Sequence, residues 1–257
     1  VLSLLFSFVS PAAWMADVQR FPLPISTPYP GRLIGVSFSP NHLGYIVGML
    51  IVLQVLGPKS RLPTVPVVTI AGLALLLTGS RSAVLGLGAA ALAAMLLQRR
   101  RSGAWYVGAA TAAGAVWVLI NQSISKTGDV ATFNGRTVIW DAVFSSFGDH
   151  PWFGIGPGGW ERLVAYYHLP AYAVEGHNQV IDTLGKQGIV GLAALLVWLL
   201  VAIRTIIRLD SSARVLPGAL LGFMVGRSMF EVPLDVYFIG PGTISMAAFA
   251  AATAWKP

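Results

Sequence analysis

The sequence contains no cysteine and few charged residues. The missing cysteines exclude disulfide bonds and thiolate-bound metal sites, although they do not identify a compartment. Asp, Glu, Lys and Arg make up only 11% of the 257 residues, whereas a soluble domain averages about 25%. Hydrophobic residues account for 55% of the chain, and the mean hydropathy is +0.71. These proportions are typical of a membrane protein.

The apolar residues are concentrated in runs long enough to cross a bilayer, which takes about 20 residues in a helix. Uncharged runs occupy residues 62–80, 82–98, 102–125, 187–203 and 236–255. Weaker candidates, each with one ionisable residue, are residues 41–57 and 215–230, and the apolar residues 1–16 would make an eighth. No basic segment precedes this last run, so it does not resemble a signal peptide. We therefore expect an all-α, polytopic transmembrane helical bundle of about eight segments, forming a single domain over residues 1–257 with further helices upstream.

Short basic loops predict the orientation of these segments. They contain Lys59 and Arg61, the arginines at 99–101, and Arg204, Arg208 and Arg214. Basic short loops stay on the cytoplasmic side of a membrane, and all three can do so without breaking the alternation of the segments. The net charge of +7 is explained by this orientation, so we expect no nucleic acid as a partner. Residues 123–186 then form a large loop on the outer, periplasmic side.

The outer loop has the pattern of two short amphipathic helices. Apolar residues recur at helical spacing between positions 139 and 147, with Asn134 available as an N-cap, and again between positions 160 and 167. The glycine-rich residues 154–159 separate the two patterns. This stretch is no nucleotide-binding loop, because it lacks a preceding strand and a Lys-Ser/Thr ending. We expect both helices to lie at the membrane interface.

Three arginines on the predicted outer side are candidates for binding phosphate. Arg81 lies in the tight turn between two membrane segments, Arg136 begins the first loop helix, and Arg32 precedes the segment that starts near residue 40. A guanidinium offers paired donors that match diphosphate oxygens, and it keeps its charge at any working pH. The alternative is that these arginines only anchor helix ends or stay solvated at the surface.

His177 is the candidate for proton transfer. An unperturbed imidazole titrates near 6.5, so it can accept a proton from a hydroxyl at neutral pH. Glu175 or Asp182 could orient the ring, while the alternative is a loop histidine with a purely local role. The histidines are dispersed and show no HExxH spacing, so we expect no metal site.

Arg227 and Glu231 are four residues apart near the outer end of a predicted segment. This spacing predicts a structural ion pair that shields both charges near the lipid. A part in binding substrate is a secondary interpretation.

Four motifs resemble those of the O-antigen ligase/polymerase family, in the family order and over roughly residues 31–203. The first two are Arg-Leu-Ile-Gly-Val-Ser-Phe-Ser-Pro-Asn at 32–41 and Leu-Thr-Gly-Ser-Arg-Ser-Ala at 77–83. The third is Gly-Arg-Thr-Val-Ile-Trp at 135–140, followed by Pro-Trp-Phe-Gly-Ile-Gly-Pro at 151–157. The fourth is His177-Asn178, then nine residues, then Gly-Ile-Val-Gly at 188–191. The set is specific to the family but not to one of its activities.

The resemblance implies an inverting, metal-independent membrane glycosyltransferase with a GT-C-like fold and no cofactor. Such an enzyme would move a glycan from undecaprenyl diphosphate to a hydroxyl of the lipid A core or of another glycan. It would work among membrane lipids, at the periplasmic face of the bacterial inner membrane. By the same resemblance, His177 would be the catalytic base, and Arg81 and Arg136 would bind the diphosphate. The residues expected to contact substrate are Arg32, Glu175, Asn178 and Asp182.

One position departs from the family pattern. The family often has an acidic residue immediately before the first glycine of the last motif, where this chain has Lys186 and Gln187. If that carboxylate supports the histidine, this chain must use Glu175 or Asp182 instead.

Three other functions are alternatives to ligation. A polymerase would use the same donor and add the glycan to another lipid-linked repeat, and the sequence does not identify the acceptor. A transporter would place polar groups or broken helices in the middle of its segments, whereas these middles are apolar and the candidate residues lie at the outer ends. A non-catalytic scaffold would leave the outer His and Arg residues without a purpose. The pattern therefore favours an enzyme.

Overall fold

The computed structural model describes residues 31–35, 39–58, 62–98, 135–156, 158–170, 173–234 and 241–254, together with positions 10, 12, 14, 15 and 37. These residues are mostly helical. The elements, in chain order, are β1 (Trp14–Met15), β2 (Arg32–Leu33), α1 (Pro40–Leu56), α2 (Thr64–Thr78), α3 (Arg81–Leu97), α4 (Arg136–Asp149), α5 (Gly159–Tyr166), α6 (Gln179–Arg208), α7 (Val215–Ser228) and α8 (Pro241–Ala254). The two short strands pair antiparallel, with Met15 opposite Arg32. Apart from this pair, the predicted helical class is confirmed for the described residues.

The predicted apolar runs coincide with helices where the structure describes them. The helices that occupy these runs are α1, α2, α3, α7, α8 and the second part of α6. Among the described helices, α6 is the one that is both long enough and apolar enough to cross a membrane, while α1, α2, α3 and α7 are shorter apolar helices. The run at 102–125 lies outside the described residues. So does most of the run at 1–16, whose residues Trp14–Met15 are extended rather than helical.

Glycines let α1, α3 and α7 pack closely around one aromatic ring. A Cβ on Gly226 of α7 would lie only 2.7 Å from the Cβ of Ala89 in α3, so the two backbones are nearly in contact. The fully buried ring of Phe223 lies against Gly48 of α1 and Gly86 of α3, where any side chain would overlap it. Close approach through small residues is the usual way in which apolar helices pack in a lipid environment.

A second apolar core lies outside this group of helices. Its buried residues come from α4, α5 and the loop after them: Ile139, Ala142, Val143, Trp160, Leu163, Leu169 and Ala173. Ile181, near the start of α6, packs against the same core. We call residues 135–187 the cap. The two short helices predicted for the outer loop are thus present, although the residue at the N-cap position of α4 is Gly135 rather than Asn134.

α6 is interrupted at Gly188, whose φ of 63° and ψ of −158° are not helical. Backbone groups on both sides of this break bond to the loop at 151–156, which follows α4. The pairs, donor first, are Ile155–Gly185, Gly156–Lys186, Ile189–Pro151 and Val190–Trp152, with N–O distances of 2.9–3.1 Å. The loop therefore replaces helical hydrogen bonds that the break removes, and it fastens the cap to α6.

α6 also begins earlier than the sequence predicts. The apolar run starts at residue 187, but the helix starts at Gln179. The side-chain oxygen of Asn178 accepts hydrogen bonds from the backbone N–H groups of Val180 and Ile181, which is the usual role of an N-cap residue. The first turns of α6 therefore belong to the cap, and the apolar part of the helix follows the break.

Gly154 and Gly188 should not tolerate a side chain. Both have positive φ, and a Cβ at either would touch the backbone of the opposite segment; at Gly188 it would lie 2.5 Å from the carbonyl group of Trp152. The left-handed conformation alone costs an L-residue about 1–2 kcal/mol. Gly154→Ala and Gly188→Ala should each lower the melting temperature of the purified protein in detergent by several degrees.

Gly148→Ala in α4 is the matched control, because the added Cβ would meet no atom within 4 Å. Its melting temperature should stay close to that of the unsubstituted protein. If all three variants melted alike, the backbone crossing at Gly188 would not be present.

Candidate active site

Several helix ends meet at one end of the structure. They are the N-termini of α1, α4 and α6, the turn between α2 and α3, and the C-terminus of α7. Side chains link them over long sequence distances, from residue 32 to 78, from 41 to 231 and from 136 to 231. Because the helices are apolar between their ends, charged side chains collect here, and the predicted site residues are among them.

Arg32 is held by protein groups at the turn between α2 and α3. Its Nε donates to the Thr78 carbonyl at 2.7 Å, and its Nη2 donates to the Gly79 carbonyl at 3.3 Å and to Asn41 Oδ1 at 3.0 Å. Gly79 ends α2 in the left-handed conformation, which turns these carbonyls towards Arg32. These bonds give Arg32 a role in joining α1 to the turn. Its predicted contact with substrate stays a prediction.

Glu231 lies at the centre of the polar groups, and its side chain is only 8% exposed. Its Oε1 accepts a hydrogen bond of 2.6 Å from Asn41 Nδ2 and another of 3.3 Å from Arg136 Nη2. Arg136 also donates from Nη1 to the Phe230 carbonyl at 2.6 Å. One carboxylate therefore joins α1, the start of α4 and the end of α7.

Arg227 is the most deeply buried cation of this group, with a side chain only 3% exposed. Its guanidinium lies over the Tyr45 ring, 4.4 Å from the centroid, and Nη1 donates to Ser82 Oγ at 3.3 Å. Its Nη2 lies 3.9 Å from Glu231 Oε2, so the ion pair predicted from the spacing is present, though long. The sequence did not predict that the same carboxylate also holds Arg136.

His177 is held in an unusual backbone conformation, with φ of +47°. A non-glycine residue in this region is strained. The preceding residue, Gly176, is fixed on both sides: its carbonyl accepts from Trp140 Nε1 at 2.9 Å, and its N–H donates to Asp182 Oδ1 at 2.8 Å. The result is that His177 Nδ1 lies 3.5 Å from Glu175 Oε1.

The charges around His177 change the pKa of both partners. Burial lowers the pKa of His177, but the carboxylates of Glu175 and Glu231 together outweigh it, and the resulting pKa lies above the ordinary value for histidine. Arg136 acts in the lowering direction and Glu231 in the raising one. Burial raises the pKa of Glu175, an effect that His177 only partly offsets. A proton is therefore held more tightly by this pair than by either group in water.

The sequence leaves two carboxylates, those of Glu175 and Asp182, as possible partners of His177. The distances favour Glu175. Asp182 instead orders the loop backbone through Gly176 and pairs with Lys186 at 2.9 Å. Lys186, which with Gln187 stands where the family pattern often has an acid, also lies over the Trp160 ring at 5.3 Å from its centroid. Asn178, predicted to contact substrate, uses its amide nitrogen on the Met229 carbonyl at 3.0 Å.

Arg81 is the first residue of α3 and lies at the same end of the structure. The two serines beside it are buried. Gly44 of α1 lies directly against Ser80, since a Cβ on Gly44 would be 2.5 Å from the Ser80 Cβ. On the other side, Ser82 accepts the hydrogen bond from Arg227. The start of α3, and with it the backbone of Arg81, is therefore fixed between α1 and α7.

Three of these side chains are close enough together to bind a cation. Ligand atoms of Glu175, His177 and Glu231 lie within 4.8 Å of one another. The spacing of these residues in the sequence does not predict this group, because its members are brought together by the fold rather than by a local motif. Two guanidiniums, those of Arg136 and Arg227, already face Glu231 and supply positive charge there. A bound metal would therefore meet two fixed cations next to one of its ligands.

The family of the chain follows from sequence comparison. Residues 66–196, about half of the chain, match the family described as O-antigen ligase. The chain belongs to the O-antigen ligase family. No curated protein gives a match to it. Members of this family are membrane-embedded enzymes of O-antigen ligation or polymerisation, and their substrates are glycans and lipid-linked molecules. The resemblance drawn from the four motifs is confirmed.

We give the name polar cluster to the charged and polar side chains that meet at these helix ends: Arg32, Asn41, Arg81, Arg136, Glu175, His177, Arg227 and Glu231. The O-antigen ligase match includes only part of this cluster. It contains Arg81, Arg136 and the loop of His177, whereas Asn41 and the whole of α7 lie outside it. The serine, proline and asparagine at 39–41 resemble a family motif, but nothing near Asn41 in the sequence indicates its partner 190 residues away.

The pKa of His177 should depend on Glu175. In Glu175→Gln the carboxylate that raises this pKa is gone, while burial and Arg136, which lower it, remain. The pKa of His177 should therefore fall, as measured by NMR titration of the protein labelled at its four histidines. Asp141→Asn, on the exposed face of α4, should leave the titration unchanged. An unaltered His177 titration in Glu175→Gln would remove Glu175 as its partner.

Proposed function

We propose that this chain transfers a glycan from undecaprenyl diphosphate to an acceptor hydroxyl, and that the acceptor is the lipid A core. The observation that carries the proposal is the convergence of a His–Glu pair with several guanidiniums at one end of an apolar helical protein. An imidazole can take a proton from a hydroxyl, and guanidiniums can stabilise a diphosphate as it leaves. The family membership makes a lipid-linked glycan the natural donor.

The proposal places the chain across the bacterial inner membrane as a polytopic, GT-C-like bundle. α6 supplies one span, and the shorter apolar helices would supply others with the help of the residues that flank them. Arg214 Nε donates to the Leu97 carbonyl at 3.2 Å, which joins the ends of α3 and α7 next to the basic loops. The basic loops would lie in the cytoplasm and the polar cluster at the periplasmic face.

Exposed aromatic residues support the position of the cap at the outer membrane surface. Trp152, Phe153 and Tyr166 are 64%, 73% and 78% exposed, although each is large and apolar. Aromatic side chains of this kind are enriched at the level of the lipid headgroups. The cap would therefore rest on the membrane at the depth where the diphosphate of the donor and the headgroup of an acceptor lipid are found.

The proposed reaction breaks one bond and forms another at the anomeric carbon. The acceptor oxygen attacks from the face opposite the diphosphate, so the configuration inverts, and the bond between the anomeric carbon and the diphosphate oxygen breaks. His177 accepts the proton of the hydroxyl, and Glu175, 3.5 Å from Nδ1, stabilises the imidazolium. Arg81 and Arg136 would stabilise the charge that develops on the leaving undecaprenyl diphosphate. Arg32, Asn178 and Asp182 would act on the substrate by shaping the loops around it.

A polymerase would use the same chemistry on the same donor, and only the acceptor differs. The test is therefore a reaction of the purified protein with undecaprenyl diphosphate-linked glycan and either lipid A core or a second lipid-linked repeat. Transfer to the lipid A core supports the ligase. Transfer only to the lipid-linked repeat identifies a polymerase, and no transfer to either overturns both.

Loss of the base should abolish transfer. General base catalysis contributes about 10²- to 10⁴-fold, so His177→Ala should lower turnover by that factor while donor binding stays nearly intact. Rates and donor affinity are measured on purified protein. Arg162→Ala, at an exposed position of α5, is the control for the cap and should react normally. Near-normal turnover of His177→Ala would exclude His177 as the base.

Transfer should not need a divalent cation. The fixed guanidiniums of Arg136 and Arg227 already supply positive charge beside Glu231, a task that metal ions perform in other phosphate sites. Exhaustive chelation should therefore leave the rate unchanged. If chelation stopped the reaction and a divalent ion restored it, Glu175, His177 and Glu231 would be metal ligands instead.

A further inference from the structure

Glu231 lies outside the part of the chain that matches the family, yet it contacts polar side chains from three separate segments. It lies beyond residue 196, where the match ends. It is buried, and it contacts Asn41 from α1, Arg136 from the cap and Arg227 from the last turn of α7. We propose that Glu231 is a positioning residue, which holds Arg136 in the place where it binds the diphosphate. This inference rests on the proposed function.

A carboxylate is needed at this point because two guanidiniums converge on it. Arg136 Nη2 lies 3.3 Å from Glu231 Oε1, and Arg227 Nη2 lies 3.9 Å from Oε2. Two like charges that share one carboxylate repel each other, and neither would stay so far out of water without an opposite charge. The Glu231 carboxylate neutralises one of the two guanidinium charges, so that the three side chains together keep a net positive charge that can attract an anion.

The contacts also determine which way Arg136 faces. A guanidinium has five N–H donors in a fixed plane. One is bound to the Phe230 carbonyl at 2.6 Å and one to Glu231 at 3.3 Å. Because both partners belong to consecutive residues after α7, the plane of the guanidinium is fixed relative to the helices. The remaining donors can then be offered in one direction, as binding of a diphosphate requires.

The residues after α7 are also where the cap is attached. The Asn178 amide donates to the Met229 carbonyl at 3.0 Å, and the Gln179 side-chain oxygen accepts from the Leu234 N–H at 2.9 Å. Glu231 lies between these two contacts. Its carboxylate is within 4.8 Å of the ligand atoms of His177 and Glu175. Glu231 is therefore placed to set the distance between the diphosphate-binding Arg136 and the base.

The test compares variants of Glu231 in the purified full chain. Glu231→Gln keeps the shape of the side chain but loses its charge, and Glu231→Asp keeps the charge but shortens the reach to Arg136. The loss of a charge-assisted hydrogen bond should lower kcat/KM for the donor about 10- to 100-fold in Glu231→Gln. The KM for the acceptor should stay nearly constant. Glu161→Gln, at an exposed position of α5, is the control and should behave like the unsubstituted protein.

A double-mutant cycle, read together with the melting temperature of each variant, separates positioning from a merely structural role. If Glu231 acts through Arg136, adding Arg136→Lys to Glu231→Gln should cost little more than either change alone. Adding Arg81→Lys should instead multiply the two losses. A merely structural ion pair would also couple Glu231 to Arg136, but the losses that it causes would follow the melting temperature of each variant. That result, or normal donor kinetics in Glu231→Asp, would overturn the proposal.

A binding measurement keeps this inference distinct from the proposed function. Inorganic diphosphate is titrated into the unsubstituted protein, Glu231→Gln and Glu161→Gln by calorimetry. Loss of a negative charge alone would strengthen the binding of an anion, so weaker binding by Glu231→Gln with a normal melting temperature indicates that Arg136 is displaced. Weaker binding supports the inference even if the protein transferred no glycan, in which case the proposed function fails alone. Equal or tighter binding by Glu231→Gln would overturn the inference while leaving the transferase proposal untouched.

Discussion

The position of the cap depends on the hydrogen bonds across the break in α6. A helix that is interrupted in apolar surroundings leaves backbone groups unpaired, and each such group costs several kcal/mol. Here the loop at 151–156 pairs with the groups on both sides of Gly188, so the break is stable. The same pairing ties α4 and α5 to α6. The loop of His177 is thereby attached to the one described helix that is long enough to cross a membrane.

The apolar helices explain why the charges meet where they do. Glycine and alanine bring α3 and α7 so close that their middles have no room for a charged side chain. Arg227, near the end of α7, is buried all the same, and its charge is balanced by the Tyr45 ring, by Ser82 and by Glu231. A buried charge is tolerated when it has partners of this kind. The polar cluster is thus a consequence of packing as much as of function.

Much of the fold can be predicted from the sequence, and less of the site. Apolar runs predict the helices, because burial depends on local composition. The predicted start of α6 is too late, because Asp182 and Lys186 interrupt the apolar pattern. Their charges compensate each other at 2.9 Å inside the helix. Local motifs gave Arg81, Arg136 and His177. No local pattern could give the contact of Arg136 with Glu231, which are 95 residues apart and joined only by the fold.

The candidate site residues come from two different cores. His177 and Arg136 are carried by the cap, whose apolar residues form their own cluster, while Arg81 and Glu231 belong to the helices around Phe223. At Arg136 and Asn178 the two cores are joined by hydrogen bonds and an ion pair to residues 229–231. Polar contacts of this kind are exchanged more readily than a packed apolar interface. A charged substrate that enters here can therefore compete for the groups that hold the cap in place, and its binding would be coupled to the distance between base and leaving group.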